Sequence, residues 1–366
     1  MRNIIIVLLL FICNSTNAQT LKPGFDPDEY TGVLKRSVGS FYQGTKMPKE
    51  MDFDEVYSSP EMGLHNKWSL WLNKDKTIIA INLRGTTRDF DSWLENLYSA
   101  MIPAEGSLKL NNNYTFNYKF ANDPKAMVHI GWAIGVGTMA PDIVDKIQRW
   151  YALGVRQIIV EGHSQGGVLA LLLDAYLHYL MADGKLPQDI VMKAYCSAAP
   201  KPGNLDFAYD FDNFNRAGWA YTIVSAADWV PQTPFSIQTV TDFSKVNPFT
   251  NAKAAFRKRK FIVRLYGNYV YNRMSKSTRK AQRKFDKYLG RVMYGQVKKY
   301  MPEYQKPKYT TSFNYMRAGA PIVFEPDEEY YKRFPDTGSN IFRNHLFEPY
   351  YYLLKKTYKS QMANSK

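Results

Sequence analysis

Cysteine is almost absent from this chain: two residues in 366, Cys13 and Cys196. Cys13 falls inside an apparent export leader, so a processed chain keeps Cys196 alone. That excludes an internal disulfide and any metal cluster built on cysteines. Long apolar runs are missing as well. Ile4 to Ile12 is a run of nine, and no later stretch approaches the about twenty residues that cross a bilayer. Histidine is scarce, with five in all, which leaves few candidates for a catalytic base. There is no internal repeat, no low-complexity tract and no recognised nucleic-acid-binding motif.

What is present points to a folded, exported protein. With 45% hydrophobic and 15% aromatic residues, the chain can bury the core of one elaborated domain or two small ones. Arg2, the apolar run and the small residues of Thr16-Asn17-Ala18 read as a signal peptide over 1–18, cut after Ala18. Residues 19–366 would then be secreted or periplasmic, soluble or peripheral. A rival reading attaches lipid at Cys13, but the bulky Ile12 stands where such a signal has a small residue.

The formal net charge is +15, and it is unevenly spread. Lys253 to Lys308 holds 18 Lys or Arg against only Asp286 and Glu303. Within it Phe285, Tyr288, Leu289, Val292, Met293, Val297 and Tyr300 recur at helical spacing, and Phe261, Ile262, Leu265, Tyr266 and Tyr269 mark an earlier helix. We read a basic helical insertion at about 248–320. Its apolar stripes either dock on the core with the charges solvated or meet an anionic membrane surface; no nucleic-acid partner is expected. Oligomeric state is not legible.

Elsewhere strand and helix patterns alternate. Trp68 to Leu72 and Thr77 to Leu83 form a hairpin about Asn73-Lys74-Asp75-Lys76, after a helix-and-loop lead-in over Asp26 to Ser59. Gln157 to Glu161, Met192 to Ser197 and Ala220 to Ser225 are further strands, so an α/β fold with a mostly parallel central sheet flanked by helices is expected. Between one of these strands and a helix marked by Leu169, Leu172, Leu173, Tyr176, Leu177 and Leu180 lies Gly162-His163-Ser164-Gln165-Gly166. Strand, sharp turn and helix are what a nucleophile elbow needs, because its serine occupies a strained conformation above the sheet. The helix N-terminus also puts partial positive charge where an oxyanion forms.

A serine hydroxyl needs a base. On this kind of elbow the chain order is Ser, then acid, then His. His65, His129 and His163 precede Ser164, and His178 lies several turns along the elbow helix, so His345 is the candidate. Asp228, in the loop after a strand, is the candidate acid; Asp242 competes, with Asp206 and Asp210 behind it.

These residues resemble the class 3 (fungal-type) lipase family of α/β-hydrolases. The matching blocks run in order: Leu83-Arg84-Gly85-Thr86 with Ser92-Trp93-Leu94, Val128-His129-Ile130-Gly131-Trp132, the elbow, and Ala199-Pro200-Lys201-Pro202-Gly203-Asn204. Ser225 to Pro231 and Asn344-His345-Leu346 fit the acid and base. The resemblance implies that Thr86 and the backbone N–H of Gln165 form the oxyanion hole, that His129 is structural, and that no metal or organic cofactor is used. It also implies a lid around Trp93, Leu94, Leu97, Tyr98, Met101 and Ile102, for which a core-packed helix is the alternative. The activity implied is hydrolysis of lipid or other esters through a Ser164-Asp228-His345 triad. A small-ester esterase, an acyltransferase or a non-catalytic membrane-binding protein on the same scaffold remain open.

Overall fold

The computed structural model describes residues 20–38, 52–249, 252–337 and 340–363; the leader expected over 1–18, with Cys13, lies outside them. Strands β1 (Phe53–Ser58), β2 (Trp68–Asn73) and β3 (Ile78–Leu83) come first. β4 (Met101–Pro103), β5 (Glu105–Asn111), β6 (Tyr114–Lys119) and β7 (Met127–His129) make two small antiparallel pairs, β4 with β7 and β5 with β6. β8 (Gln157–His163), β9 (Val191–Ser197), β10 (Ala220–Ser225) and β11 (Ala320–Phe324) complete a seven-stranded sheet of order β1-β2-β3-β8-β9-β10-β11.

From β3 to β11 neighbouring strands run parallel, whereas β1, β2 and β3 form an antiparallel meander at one edge. The hairpin turn is fixed by the Asn73 side chain, whose Oδ1 accepts from the N–H groups of Thr77 at 2.8 Å and Ile78 at 2.9 Å.

The helices are α1 (Pro27–Val38), α2 (Phe90–Leu97), α3 (Ile130–Ala152), α4 (Gln165–Ala182), α5 (Leu205–Phe214), α6 (Ala252–Arg257), α7 (Phe261–Phe285), α8 (Met293–Tyr300), α9 (Glu328–Arg333) and α10 (Phe347–Thr357). Alternation along the strands sends their side chains to two cores. Ile79, Ile81, Ile158 and Val160 join residues of α2, α3, α4 and α5. Ile78, Ala80, Ile159 and Tyr195 join α1, α9 and α10 on the other face. This is the α/β-hydrolase arrangement, with the elbow at the C-terminal end of the central strand β8. Among the described residues no helix is long and apolar enough to cross a membrane.

Three local expectations change. Phe53–Ser58 is a strand, not part of a helix-and-loop lead-in; it is an edge strand with only Phe53 buried, so it shows no alternating pattern to read. Ala320–Phe324 is the opposite edge strand, likewise buried only at Phe324. The residues expected in a lid divide: Leu94, Tyr98, Met101 and Ile102 are buried in the core, whereas Leu97 is 45% exposed and Trp93 is half-buried. Leu94 and Tyr98, four residues apart, face inward together, and the Tyr98 hydroxyl bonds that of Tyr309 at 2.6 Å.

In the basic segment α7 passes through a π-helical stretch, Asp286–Val292, into α8. Gly290 sits there because a Cβ would lie 3.1 Å from the Tyr309 ring and 3.3 Å from Ala100.

Candidate active site

The elbow is built from close backbone approaches. A Cβ on Gly162 would stand 2.2 Å from the carbonyl oxygen of Gly166, and one on Gly166 would stand 2.0 Å from that of Leu83. Only glycine lets β8, α4 and β3 converge there. Between them Ser164 is held at φ 62 and ψ −128, ahead of the first turn of α4. A non-glycine residue in such a conformation costs roughly 1–3 kcal/mol and persists where the surroundings over-determine it. Here its N–H donates to the Ser197 carbonyl at 2.9 Å, and its own carbonyl accepts from Gly167. The side chain is half-buried.

His345 ends a 3₁₀ turn, Arg343–His345. Its Nδ1 lies 2.7 Å from Oδ2 of the buried Asp228. A carboxylate acceptor fixes the proton on Nδ1 and leaves Nε2 as a bare acceptor. That Nε2 is buried and has no hydrogen-bond partner among the described residues; the Ser164 hydroxyl does not bond it in this state. Such contacts often tighten only with substrate bound. Asp228 is itself well held: Oδ1 accepts from the Val230 N–H at 3.0 Å and Oδ2 also from the Tyr350 hydroxyl at 2.8 Å.

His163 joins the two halves. Its Nε2 lies 2.8 Å from the carbonyl oxygen of His345, and its Nδ1 2.9 Å from the Ser197 hydroxyl. A carbonyl can only accept, so Nε2 carries the proton, Nδ1 accepts from Ser197, and Ser197 in turn accepts from Tyr30 at 2.6 Å. Burial, with the neighbouring His345 adding to it, pushes the His163 imidazole down to about 3. The neutral ring is therefore a structural clamp, and the His163 and His345 rings lie 4.7 Å apart.

The loop after β3 closes the other side. A Cβ on Gly85 would be 3.0 Å from the His163 carbonyl oxygen and 3.6 Å from Ser164 Cβ, which puts Thr86 next in line beside the elbow. Thr86 Oγ1 accepts from the Asn96 side-chain amide at 2.9 Å, so its own O–H remains to donate. Asn96 is oriented by Trp132 Nε1 on its side-chain oxygen at 2.9 Å and by His129 Nε2 on its carbonyl at 3.2 Å. His129 is buried, its imidazole pushed down by burial to about 3, and its ring stacks on Trp132 at 3.6 Å.

Gln165, the first residue of α4, has a backbone N–H that the helix ladder leaves unused. Its side chain donates to Glu95 Oε1 at 2.8 Å, while Glu95 Oε2 accepts from Asn66 at 2.6 Å. Burial pushes the Glu95 carboxyl up to about 8.

The other acids are engaged elsewhere. Asp242 caps its own turn at Thr239 and binds Ser312, Asp206 meets Asn204, and Asp210 meets Tyr179 and the Asn122 N–H. Sequence reasoning missed the clamp residues Tyr30, Ser197 and Tyr350 and the Glu95–Gln165 contact. Tyr30 follows Asp28 and Glu29, Tyr350 heads a run of three tyrosines and Ser197 ends an apolar strand, so no local pattern sets them apart from ordinary structural side chains. Aromatic rings gather beside His345: Phe342 packs between Trp93 at 5.9 Å and Trp229 at 5.4 Å, and 6.1 Å from His345.

Residues 80–238 match the family described as Lipase (class 3). Comparison with curated proteins gives no match. Among solved structures, a Rhizomucor miehei lipase–propeptide complex is 17% identical, with 58% of this chain and 65% of that one covered and a TM-score of 0.41. This chain thus spans less than two thirds of that protein. A triacylglycerol lipase from Penicillium expansum is 18% identical, with 57% and 72% covered and a TM-score of 0.42. A mono- and diacylglycerol lipase from Aspergillus oryzae is 15% identical, with 58% and 76% covered and the same score of 0.42.

Proposed function

We propose that the chain, whose residues 80–238 match the class 3 lipase family, is an exported serine hydrolase of lipid esters, acylglycerols or phospholipids. The observation that carries this reading is the buried, unpartnered Nε2 of His345, whose Nδ1 is held by Asp228 and whose carbonyl is held by His163, the residue before a serine strained at φ 62.

In the proposed reaction His345 Nε2 takes the Ser164 proton as Oγ attacks the ester carbonyl. Asp228 stabilises the imidazolium without itself accepting the proton. The oxyanion accepts from the N–H of Gln165 and from Thr86, donors whose orientation is fixed before the charge develops. His345 then protonates the departing alcohol oxygen, leaving an acyl group on Ser164. In the second half His345 deprotonates water, which attacks the acyl carbonyl; the proton returns to Ser164 and the carboxylic acid leaves.

We read residues 1–18 as the leader removed on export and 19–366 as one hydrolase domain, interrupted at about 248–320 by the basic helical insertion. Turnover of short-chain esters, triacylglycerols and phospholipids by wild type and Ser164→Ala tests the activity. Hydrolysis of at least one class, lost in the variant, is expected. No turnover of any class, or turnover that survives Ser164→Ala, would remove the reading.

A further inference from the structure

Helix α7 has 25 residues, none of them buried. A surface helix ordinarily turns its apolar stripe into the core, and this one does not. Phe261 is 67% exposed, Ile262 77%, Leu265 63%, Tyr266 70% and Tyr269 59%. At about 100° per residue the five fall within an arc of roughly 140°. The opposite side is where α6 packs: a Cβ on Gly267 would meet the Phe256 ring at 2.8 Å. The apolar arc therefore points away from the one helix that leans on α7's N-terminal half.

Charge surrounds the same end. Lys258, Arg259, Lys260 and Arg264 are exposed beside the arc. Of the 18 Lys and Arg between Lys253 and Lys308, only Arg291 makes an ion pair among the described residues, with Asp286 at 3.0 Å. Among the described residues the other cations of the segment have no acidic partner, so it holds a large uncompensated positive charge.

We propose that the N-terminal half of α7, with the Lys258–Lys260 approach to it, is a docking surface for an anionic lipid bilayer. The helix lies in the interface, aliphatic and aromatic side chains at the acyl boundary and the cations at headgroup phosphates. A second copy of the same face would bring like charge against like charge. A nucleic acid would neutralise the cations but leave Ile262 and Leu265 in water. The surface shares no residue with the Ser164 site, and its reading does not depend on ester hydrolysis.

The test is co-sedimentation of the full chain with vesicles of ether-linked phosphatidylcholine, with and without ether-linked phosphatidylglycerol, lipids that offer no ester to cut. Binding that needs phosphatidylglycerol and weakens with salt is expected. Lys258→Glu, Arg259→Glu and Lys260→Glu together should lower the affinity at least about tenfold. Ile262→Ser with Leu265→Ser should lower it at low salt too, where electrostatics alone would persist. Both sets change exposed residues, and circular dichroism checks their fold. Ser164→Ala should bind as wild type, which separates this surface from the hydrolase reading. Equal binding to both vesicle types, unchanged binding by both variant sets, or self-association or binding to single-stranded DNA in place of vesicles would overturn the proposal.

Discussion

His163 Nε2 donates to the carbonyl oxygen of His345 over 2.8 Å, so the residue preceding the proposed nucleophile fixes the backbone of the proposed base. The two lie 182 residues apart in the chain, and this bond helps to set their relative position. Replacing the clamp with a ring of similar size, His163→Phe, leaves the His345 carbonyl and the Ser197 hydroxyl unsatisfied. It should cost about 1–3 kcal/mol of stability and lower kcat by about tenfold or more with KM little changed, because the base is then loosely placed. Steady-state kinetics and urea unfolding read both effects.

Tyr350 supports the acid in the same way. Its hydroxyl donates to Asp228 Oδ2 at 2.8 Å and accepts from the Ser225 N–H at 3.2 Å. Tyr350→Phe should cost about 1–2 kcal/mol and lower kcat more than it raises KM, since substrate does not touch it. Wild-type kinetics in this variant would show that the bonds from His345 and the Val230 N–H suffice to hold Asp228.

Two buried groups give stability opposite pH dependences. Burial raises the Glu95 carboxyl from 4.5 to about 8. Across that window the folded chain holds a proton that the unfolded chain has lost, so stability is full below 4.5 and is lost as pH rises towards 8. Burial lowers the His163 imidazole from 6.5 to about 3; there the unfolded chain binds the extra proton, and stability is lost as pH falls below 6.5. Glu95→Gln should therefore flatten the fall above pH 6.5, where the wild-type slope approaches 1.4 kcal/mol per pH unit, and steepen the acid loss between 4.5 and 6.5, where the two groups oppose each other. Urea unfolding at about pH 5, 7 and 9 measures it; an unchanged alkaline slope would count against a buried, protonated Glu95.

Beneath the elbow Arg36 of α1 grips Glu161 of β8 with two bonds, 2.6 and 2.7 Å long, both side chains buried. Arg36→Met strands a buried carboxylate and should destabilise by about 3–5 kcal/mol, whereas Arg36→Met with Glu161→Gln should recover much of that loss. Thermal melts of the single and double variants decide it.

The fold was legible wherever burial imposes a period. β3, β8, β9 and β10 are buried on both faces and read as continuous apolar runs. The edge strands β1 and β11 are mostly exposed and carried no such mark. The candidate site was reached through residue type and order: scarcity of histidine left only His345, and Asp228, which its Nδ1 meets, follows a recognisable strand. What stayed hidden was the set of side chains that hold these two, Tyr350 and His163 above all. Their roles come from chain segments brought together by the sheet, and local spacing does not encode them. The lid stretch was ambiguous for a related reason, since an apolar stripe looks the same whether it covers a site or packs on α3.

Mass spectrometry of the chain after reaction with a fluorophosphonate, resolved in time, addresses the central claim most directly. A single adduct on Ser164 is predicted, absent in Ser164→Ala and formed at least about a thousandfold more slowly in His345→Ala. An adduct on another residue, or labelling of Ser164 at an undiminished rate without His345, would contradict the account.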